Sequence, residues 1–184
     1  MKRIAILVLL AVQVLLVNAQ QQYVAKNGKV HFFSYTPIEN IEATTNSAIC
    51  AMSPTTGKVY VKINTTTFVF RDKLMEEHFN ENYMESDRFP NAILDMTIAN
   101  TIDYTKDGVY DVTLKGTLEM HGVKKEREIK GKLTVKNGEP SEATAEFEVF
   151  MADHNIKIPQ AVIAKIAESV KVDAHFNFVK YEKK

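Results

Sequence analysis

The sequence has a single cysteine and no apolar run long enough to cross a membrane. Cys50 cannot form an intramolecular disulfide, so packing alone must hold the fold together. The longest apolar run, residues 4–17, falls short of the roughly 20 residues that a spanning helix needs. Lys2 and Arg3 precede this run, and the small-residue site Val17-Asn18-Ala19 follows it. The pattern predicts a cleaved export signal over residues 1–19, and no cysteine follows it that would carry a lipid anchor.

Basic residues are also not concentrated anywhere along the chain. Cleavage after Ala19 would leave 184 − 19 = 165 residues, the size of one domain. That part carries 21 basic and 23 acidic residues, a net charge of 21 − 23 = −2, and its only basic pairs are Lys124-Lys125 and the terminal Lys183-Lys184. Nucleic acid is therefore not an expected partner. We expect residues 20–184 to form one periplasmic or secreted domain.

Strands are predicted along most of the chain because apolar and polar residues alternate. The clearest strands cover residues 110–120 and 126–135, and His121-Gly122-Val123-Lys124 joins them as a hairpin turn. Asn137-Gly138 signals another hairpin turn. Gly116 and Gly131 interrupt the apolar faces of the two strands, which predicts bends or bulges that let a sheet curl.

Residues 159–170 interrupt this β pattern with helical spacing. Pro159 suits a first helical position, and an apolar stripe runs from Val162 to Val170, so a helix is predicted there. The eight or nine predicted strands form an antiparallel sandwich or a barrel, and periodicity does not choose between the two. A barrel of about eight strands can hold one small ligand or be filled by its own side chains.

Residues 71–92 form an amphipathic connection between two predicted strands. Asp72 is the expected N-cap of a short helix, and Leu74, Met75, His78 and Phe79 share one face of it. A connection this rich in apolar side chains must cover a hydrophobic surface. That surface is either the mouth of a barrel or the flank of a sheet.

Two segments resemble the YceI-like family in the form found in Bacteroidetes. One has the order leucine–x–x–x–His–Phe, then an aromatic residue and an aromatic–proline pair, and the other is a Gly-x-Leu-x-x-His-Gly-Val-x-Lys hairpin. The residues that fit are Leu74, His78, Phe79, Tyr83, Phe89 and Pro90 in the first, and Gly116, Leu118, His121, Gly122, Val123 and Lys125 (or Lys124) in the second. Phe32-Phe33-Ser34 and Ile156-Lys157-Ile158-Pro159 are similar to the family as well, although Val30-His31 stands where many members have a His-Ser pair.

The resemblance implies an all-β, lipocalin-like antiparallel barrel of about eight strands with short helical insertions. It also implies that the protein binds or transports a long-chain amphiphilic lipid without catalysis, cofactor or metal. The lipid would be a polyisoprenoid, an isoprenoid quinone or a fatty-acid derivative in an apolar pore. The residues expected to form the lid or line the pore are Leu74, Met75, His78, Phe79, Tyr83, Val112, Leu114, Leu118, Ile129, Leu133, Phe147, Val149, Phe176 and Phe178.

Two other function classes stay open at this point. The barrel can be solid, which describes an exported structural or stress-related interaction protein. Glu76-Glu77-His78 can be read as a metal ligand or general base, but the chain has no HExxH pair, phosphate-binding glycine loop or GxSxG elbow. A homodimer is possible through the exposed edge of an imperfectly closed barrel.

Overall fold

The computed structural model describes residues 21–182, and most of them lie in β-strands. The predicted export signal, residues 1–19, lies outside this range. The strands are β1 (Tyr23–Tyr35), β2 (Asn40–Met52), β3 (Lys58–Asn64), β4 (Val69–Phe70), β5 (Asn91–Ile98), β6 (Gly108–Met120), β7 (Val123–Lys136), β8 (Glu139–Phe150), β9 (Ser169–Asn177) and β10 (Val179–Lys180). The helical segments are α1 (Lys73–His78), a π-helix (Phe79–Tyr83) and the 3₁₀ turns Thr65–Thr67, Met151–His154 and Gln160–Val162. Within residues 21–182, none of the helices has the length and apolar character to cross a membrane.

The eight long strands form a closed antiparallel barrel. They pair in chain order from β1 to β3, then from β5 to β9, and β3 pairs with β5. The sheet closes because β9 returns to β1, where Lys29 to Phe33 pair with His175 to Lys171. Closure confirms the predicted barrel and excludes a sandwich. In the described part of the chain every long strand has a partner on both sides, although β8 pairs only with residues 131–136 of β7. The homodimer contact expected at an exposed edge stays a prediction.

The hairpin of β6 and β7 shows why the alternating sequence forms a curved wall. Its register is continuous from Gly108 opposite Val135 to Met120 opposite Val123. The tight turn between these strands has positive φ at both central residues, as a type I′ turn requires. The Asn137-Gly138 turn has the same geometry. Both predicted turns are confirmed.

Bends or bulges are the two alternatives predicted at Gly116 and Gly131, and the bulges are wrong. The pairing register between β6 and β7 runs through both glycines without a shift. Both glycines instead allow neighbouring backbones to approach. A Cβ on Gly116 would lie 2.1 Å from the Asp95 carbonyl oxygen, and one on Gly131 would lie 2.5 Å from that of Thr144. The register shifts occur near Gly28 in β1 and at the end of β7.

The helix predicted over residues 159–170 is also wrong. Only the short 3₁₀ turn Gln160–Val162 forms, and no side chain caps it. The end of the apolar stripe is used by β9 instead, where Val170 pairs with Val149 of β8. Val162 and Ile166 line the barrel interior, whereas Ile163 is 51% exposed, so the segment does not present one buried helical face.

Two long connections cover the same end of the barrel. We call residues 65–90, between β3 and β5, the first cap, and residues 151–168, between β8 and β9, the second cap. Shorter connections close the opposite end, where residues 53–57, 99–107 and 137–138 lie. The interior beneath the caps is therefore closed by irregular segments, whereas the other end is closed by turns of the sheet.

An apolar cavity beneath the two caps

A cavity of about 410 Å³ lies inside the barrel beneath the caps. This volume falls in the range of small-molecule pockets. The barrel wall contributes Val30, Phe32, Ser34, Ile41, Ile63, Ala92, Leu94, Leu118, Met120, Phe147, Val149, Val170 and Val172, the first cap Thr65, Phe68, Phe70, Asp72, Leu74, Met75, His78, Phe79, Tyr83 and Met84, and the second cap Met151, Ile156, Ile158, Val162, Lys165 and Ile166. Glu39, in the connection between β1 and β2, completes the lining. Almost all of this surface is apolar.

A second cavity of about 70 Å³ lies deeper in the barrel, and the predicted site residues divide between the two. The large cavity takes Leu74, Met75, His78, Phe79, Tyr83, Leu118, Phe147 and Val149. The small cavity takes Val112, Leu114, Ile129, Leu133, Phe176 and Phe178, and Phe147 lines it as well. The predicted residues thus all line one of the two cavities, and their contact with a ligand stays a prediction.

Phe79 anchors the first cap to the barrel wall. Its ring stacks on Phe32 of β1, with ring centroids 5.5 Å apart and an interplanar angle of 24°. Phe68 and Phe70 pack against it from the cap side, at centroid distances of 5.8 and 5.0 Å. Aromatic pairs in these geometries stabilise a contact beyond the area they bury. The cluster fixes where the π-helix begins and which residues of the cap face the cavity.

Hydrogen bonds of Asp72 and Glu76 fix the first turn of α1 beside the cavity. Asp72 caps the helix, since its carboxylate accepts hydrogen bonds from the backbone N–H groups of Leu74 at 2.8 Å and Met75 at 3.4 Å. This confirms the predicted N-cap. The Glu76 carboxylate accepts from Lys73 Nζ at 2.8 Å and from the Phe70 N–H at 3.1 Å. These two bonds lower the pKa of Glu76, the one from Lys73 having the larger effect.

A chain of hydrogen bonds connects the end of the first cap, at Ser86, with its beginning, at Thr65. Ser86 Oγ donates to Asn80 Oδ1 at 2.8 Å and accepts from Thr65 Oγ1 at 3.0 Å. Asn80 Nδ2 in turn donates to the Glu76 carbonyl at 2.9 Å. Ser86 and Thr65 are buried, so these polar groups need partners inside the protein. The first cap is therefore a folded unit and not an open loop.

The side chains at the mouth are more exposed than the rest of the lining. Leu74 is 58% exposed, and His78 is exposed as well. Within residues 21–182, the His78 ring has neither a hydrogen bond nor an ion pair. Tyr83 lies deeper, and its burial raises the pKa of the phenol. The polar groups that meet the large cavity from the mouth include the Tyr83 phenol, the His78 imidazole and the Asp72 carboxylate. Lys165 and Glu39, 3.9 Å apart, line it as well.

The second cap was not expected to line the site. Ile156, Ile158, Val162 and Ile166 face the large cavity from this cap. The cap is tied to the wall by the Ala167 N–H, which donates to Ser34 Oγ at 3.2 Å. The apolar spacing of Val162 and Ile166 signals a contact with the interior, but the same spacing also fits one face of a helix.

His121 joins both caps to the turn between β6 and β7. Its Nε2 lies 3.1 Å from Glu85 Oε1 in the first cap, and its Nδ1 lies 3.0 Å from the His154 carbonyl oxygen in the second. Both partners are acceptors, so both bonds form only when both ring nitrogens carry protons. The ring of Phe89 also packs edge-on against His121, at 4.8 Å between centroids.

His154 is fully buried under the second cap and donates from Nδ1 to the Val123 carbonyl at 3.1 Å. Burial lowers the pKa of this imidazole, against the opposing effect of the carbonyl. His154 is therefore held neutral.

The arrangement is suited to holding an apolar guest. Among the described residues, no group of three or more His, Cys, Asp or Glu side chains is placed to hold a metal ion. Cys50 faces the small cavity, and its burial raises the pKa of the thiol to about 12. The thiolate that nucleophilic chemistry requires is thus suppressed.

Comparisons with known proteins agree with this architecture. The sequence matches the YceI-like domain over residues 21–178. A polyisoprenoid-binding domain from Saccharophagus degradans, implicated in plant cell wall breakdown, superposes with a TM-score of 0.66 at 14% identity, covering 85% of this chain and 97% of that one. BcnA of Burkholderia cenocepacia gives 0.62 at 18% identity over 80% and 94%. The YceI protein of Campylobacter jejuni gives 0.52 at 15% identity over 75% and 81%. No curated protein matches the sequence significantly.

Proposed function

Because the chain belongs to the YceI-like family, we propose that it binds a long-chain amphiphilic lipid in the large cavity. The observation that carries the proposal is a cavity of about 410 Å³ with an apolar wall and polar groups at its mouth. A polyisoprenoid, an isoprenoid quinone or a fatty-acid derivative has a matching shape. The description of the Saccharophagus relative as polyisoprenoid-binding supports the same ligand class.

Burial of the tail supplies the binding energy. Each buried methylene contributes about 0.8 kcal/mol, so about ten carbons contribute about 8 kcal/mol before losses. Several kcal/mol of that is lost to the entropy of association and to ordering. Polar groups at the mouth are few, so the tail dominates the affinity and headgroups are discriminated weakly.

We further propose that the protein carries or stores its lipid without transforming it, outside the cytoplasm. The export pattern of residues 1–19 supports the location. The absence of a cluster of reactive side chains among the lining residues of the cavity supports a non-catalytic role. A solid-core structural protein is disfavoured, because it would have no cavity of this size.

The direct test is mass spectrometry of protein purified without detergent, before and after organic extraction. We expect a co-purifying lipid in the native spectrum, and a rise in melting temperature when polyprenols or quinones are added to the stripped protein. Repeated absence of both effects would contradict the proposal. Stoichiometric zinc or iron in elemental analysis would favour a metal enzyme instead.

A cavity-filling variant tests whether the lipid occupies this cavity. Ala92 lines the large cavity. Ala99, which follows the end of β5, is exposed and does not line the cavity. We expect Ala92→Leu to reduce lipid recovery and Ala99→Leu to leave it unchanged. Equal recovery from both variants would place the lipid elsewhere.

A further inference from the structure

Two side chains are shared by the linings of the large and the small cavity. Leu94 on β5 and Phe147 on β8 line both cavities. Their strands are separated in the sheet by β6 and β7, so the two side chains reach the barrel interior from different parts of the wall. Leu94 is positioned by pairing of its backbone with Val61 and Leu118, and Phe147 by pairing with Val172.

Among the described residues, only the side chains of Leu94 and Phe147 are shared between the two cavities, and the small cavity beyond them is apolar. Ile129, Leu133 and Phe176 line the small cavity. Apolar cavities stay dry and accept apolar guests when they can be reached. An alkyl tail would therefore continue into the small cavity if Leu94 and Phe147 did not block it.

We propose that Leu94 and Phe147 form the floor of the lipid cavity and set the longest tail that the protein accommodates fully. This inference rests on the proposed function of the large cavity. Each additional methylene strengthens binding until the tail reaches the floor. Carbons beyond that point must fold back or stay at the mouth, so affinity stops rising with chain length.

Isoprenoid alcohols of increasing length test the floor. Geraniol, farnesol, geranylgeraniol and solanesol would be titrated into stripped wild-type protein and into Phe147→Ala. We expect the wild-type affinity to reach a limit within the series. In Phe147→Ala the chain length at which the affinity stops rising should be greater. The first alcohol longer than the wild-type limit should bind this variant about tenfold or more tightly than it binds the wild type.

Phe176→Ala is the matched control, because Phe176 lines the small cavity and not the large one. It removes the same atoms but leaves the floor in place, so the length limit should stay that of the wild type. Leu94→Ala should act like Phe147→Ala, and Leu94→Phe should move the limit toward shorter alcohols. The last variant adds atoms toward open space, so it still decides the matter if the truncations fail to fold.

The possible failures are distinguishable. Folded Phe147→Ala and Leu94→Ala proteins with the wild-type length profile would overturn the floor and leave lipid binding intact. An unchanged profile for Leu94→Phe would do the same. If the wild-type protein binds none of the alcohols and releases no lipid on organic extraction, the proposed function fails, and the floor fails with it.

Discussion

His121 Nε2 lies 3.1 Å from the carboxylate of Glu85, which places the imidazole of the β6–β7 turn against a carboxylate of the first cap. The same carboxylate pairs with Arg88 at 2.6 Å. Arg88, ahead of His121, lowers the pKa of Glu85. The opposite side of the imidazole meets the second cap at the His154 carbonyl. The His121 side chain therefore contacts both caps of the cavity.

Replacing His121 should loosen both caps together. His121→Asn tolerates the left-handed backbone at this position, where φ is 50°, but it reaches at most one of the two acceptors. We expect a loss of about 1–3 kcal/mol of unfolding free energy. Amide hydrogen exchange should accelerate in both the first and the second cap.

His31→Asn is the control for the His121 variant. The His31 ring also pairs with two carboxylates, Glu42 at 3.3 Å and Asp173 at 3.6 Å, but none of these residues lies in a cap. Exchange in the caps should be unchanged in this variant. If His121→Asn accelerates exchange in one cap alone, the bridge does not couple the two.

Acid should destabilise the protein through His154. Its pKa is lowered in the folded state by burial, so the unfolded chain binds the proton first as the pH falls. The resulting stability is complete above the unfolded pKa of about 6.5 and is lost as the pH falls below it, at no more than about 1.4 kcal/mol per pH unit.

Urea denaturation of wild type and His154→Gln between about pH 7.5 and 5.5 measures this effect. The free energy of unfolding should fall more steeply with acid in the wild type. The glutamine side chain does not titrate but can still donate a hydrogen bond to the Val123 carbonyl. The two proteins therefore differ mainly in the titratable group. Parallel pH profiles would show that His154 is protonated equally easily in both states.

The first cap should retain lipid through its apolar side chains. Phe79→Ala removes a ring that contacts Phe32 and lines the cavity, and Met75→Ala removes a second lining side chain. Both should release lipid faster than His78→Gln does, because the His78 side chain is exposed. Leu74→Ala should have a smaller effect than Phe79→Ala, since Leu74 is 58% exposed.

Lipid release from these variants should be measured well below their melting temperatures, since Phe79→Ala costs about 2–4 kcal/mol by cavity formation. Phe33→Ala supplies a control on the outer face of β1, beside Phe32 in sequence. The opposite order, with His78→Gln releasing lipid fastest, would contradict the role of the cap.

Cys50 should resist modification in the folded protein. Its thiol is buried, with a pKa raised to about 12, so almost no thiolate exists at neutral pH. We expect no reaction with a thiol reagent under native conditions and one equivalent in denaturant. Native labelling at a rate independent of stability would show that the barrel opens locally around β2.

The local pattern of the sequence was enough for much of the fold. Alternation predicted the β6 and β7 hairpin and its turn, and the N-cap at Asp72 is confirmed by its two hydrogen bonds. The family predicted from the two motifs is confirmed by the match over residues 21–178. These features depend on residues that are close to one another in the sequence, so a local pattern is enough to predict them.

The wrong predictions concern segments whose conformation depends on distant partners. Val162 and Ile166 of the predicted apolar stripe line the cavity and Val170 pairs with β8, and the same spacing fits a helix. Gly116 accommodates the backbone at Asp95, and nothing in its own neighbourhood identifies that strand. His121 was recognised as part of a motif, but its bridge reaches residues more than thirty positions away on either side.

The sequence by itself determined which face of each strand is apolar, because side chains alternate with a period of two whatever the partner strand. Only the tertiary structure decided where those faces meet closely and where they leave space. Beneath the caps the side chains stop short of one another and a cavity of about 410 Å³ remains, whereas Leu94 and Phe147 reach far enough to separate it from the packed half of the barrel. Empty volume depends on side chains brought together from strands far apart in the chain, so no local pattern encodes it.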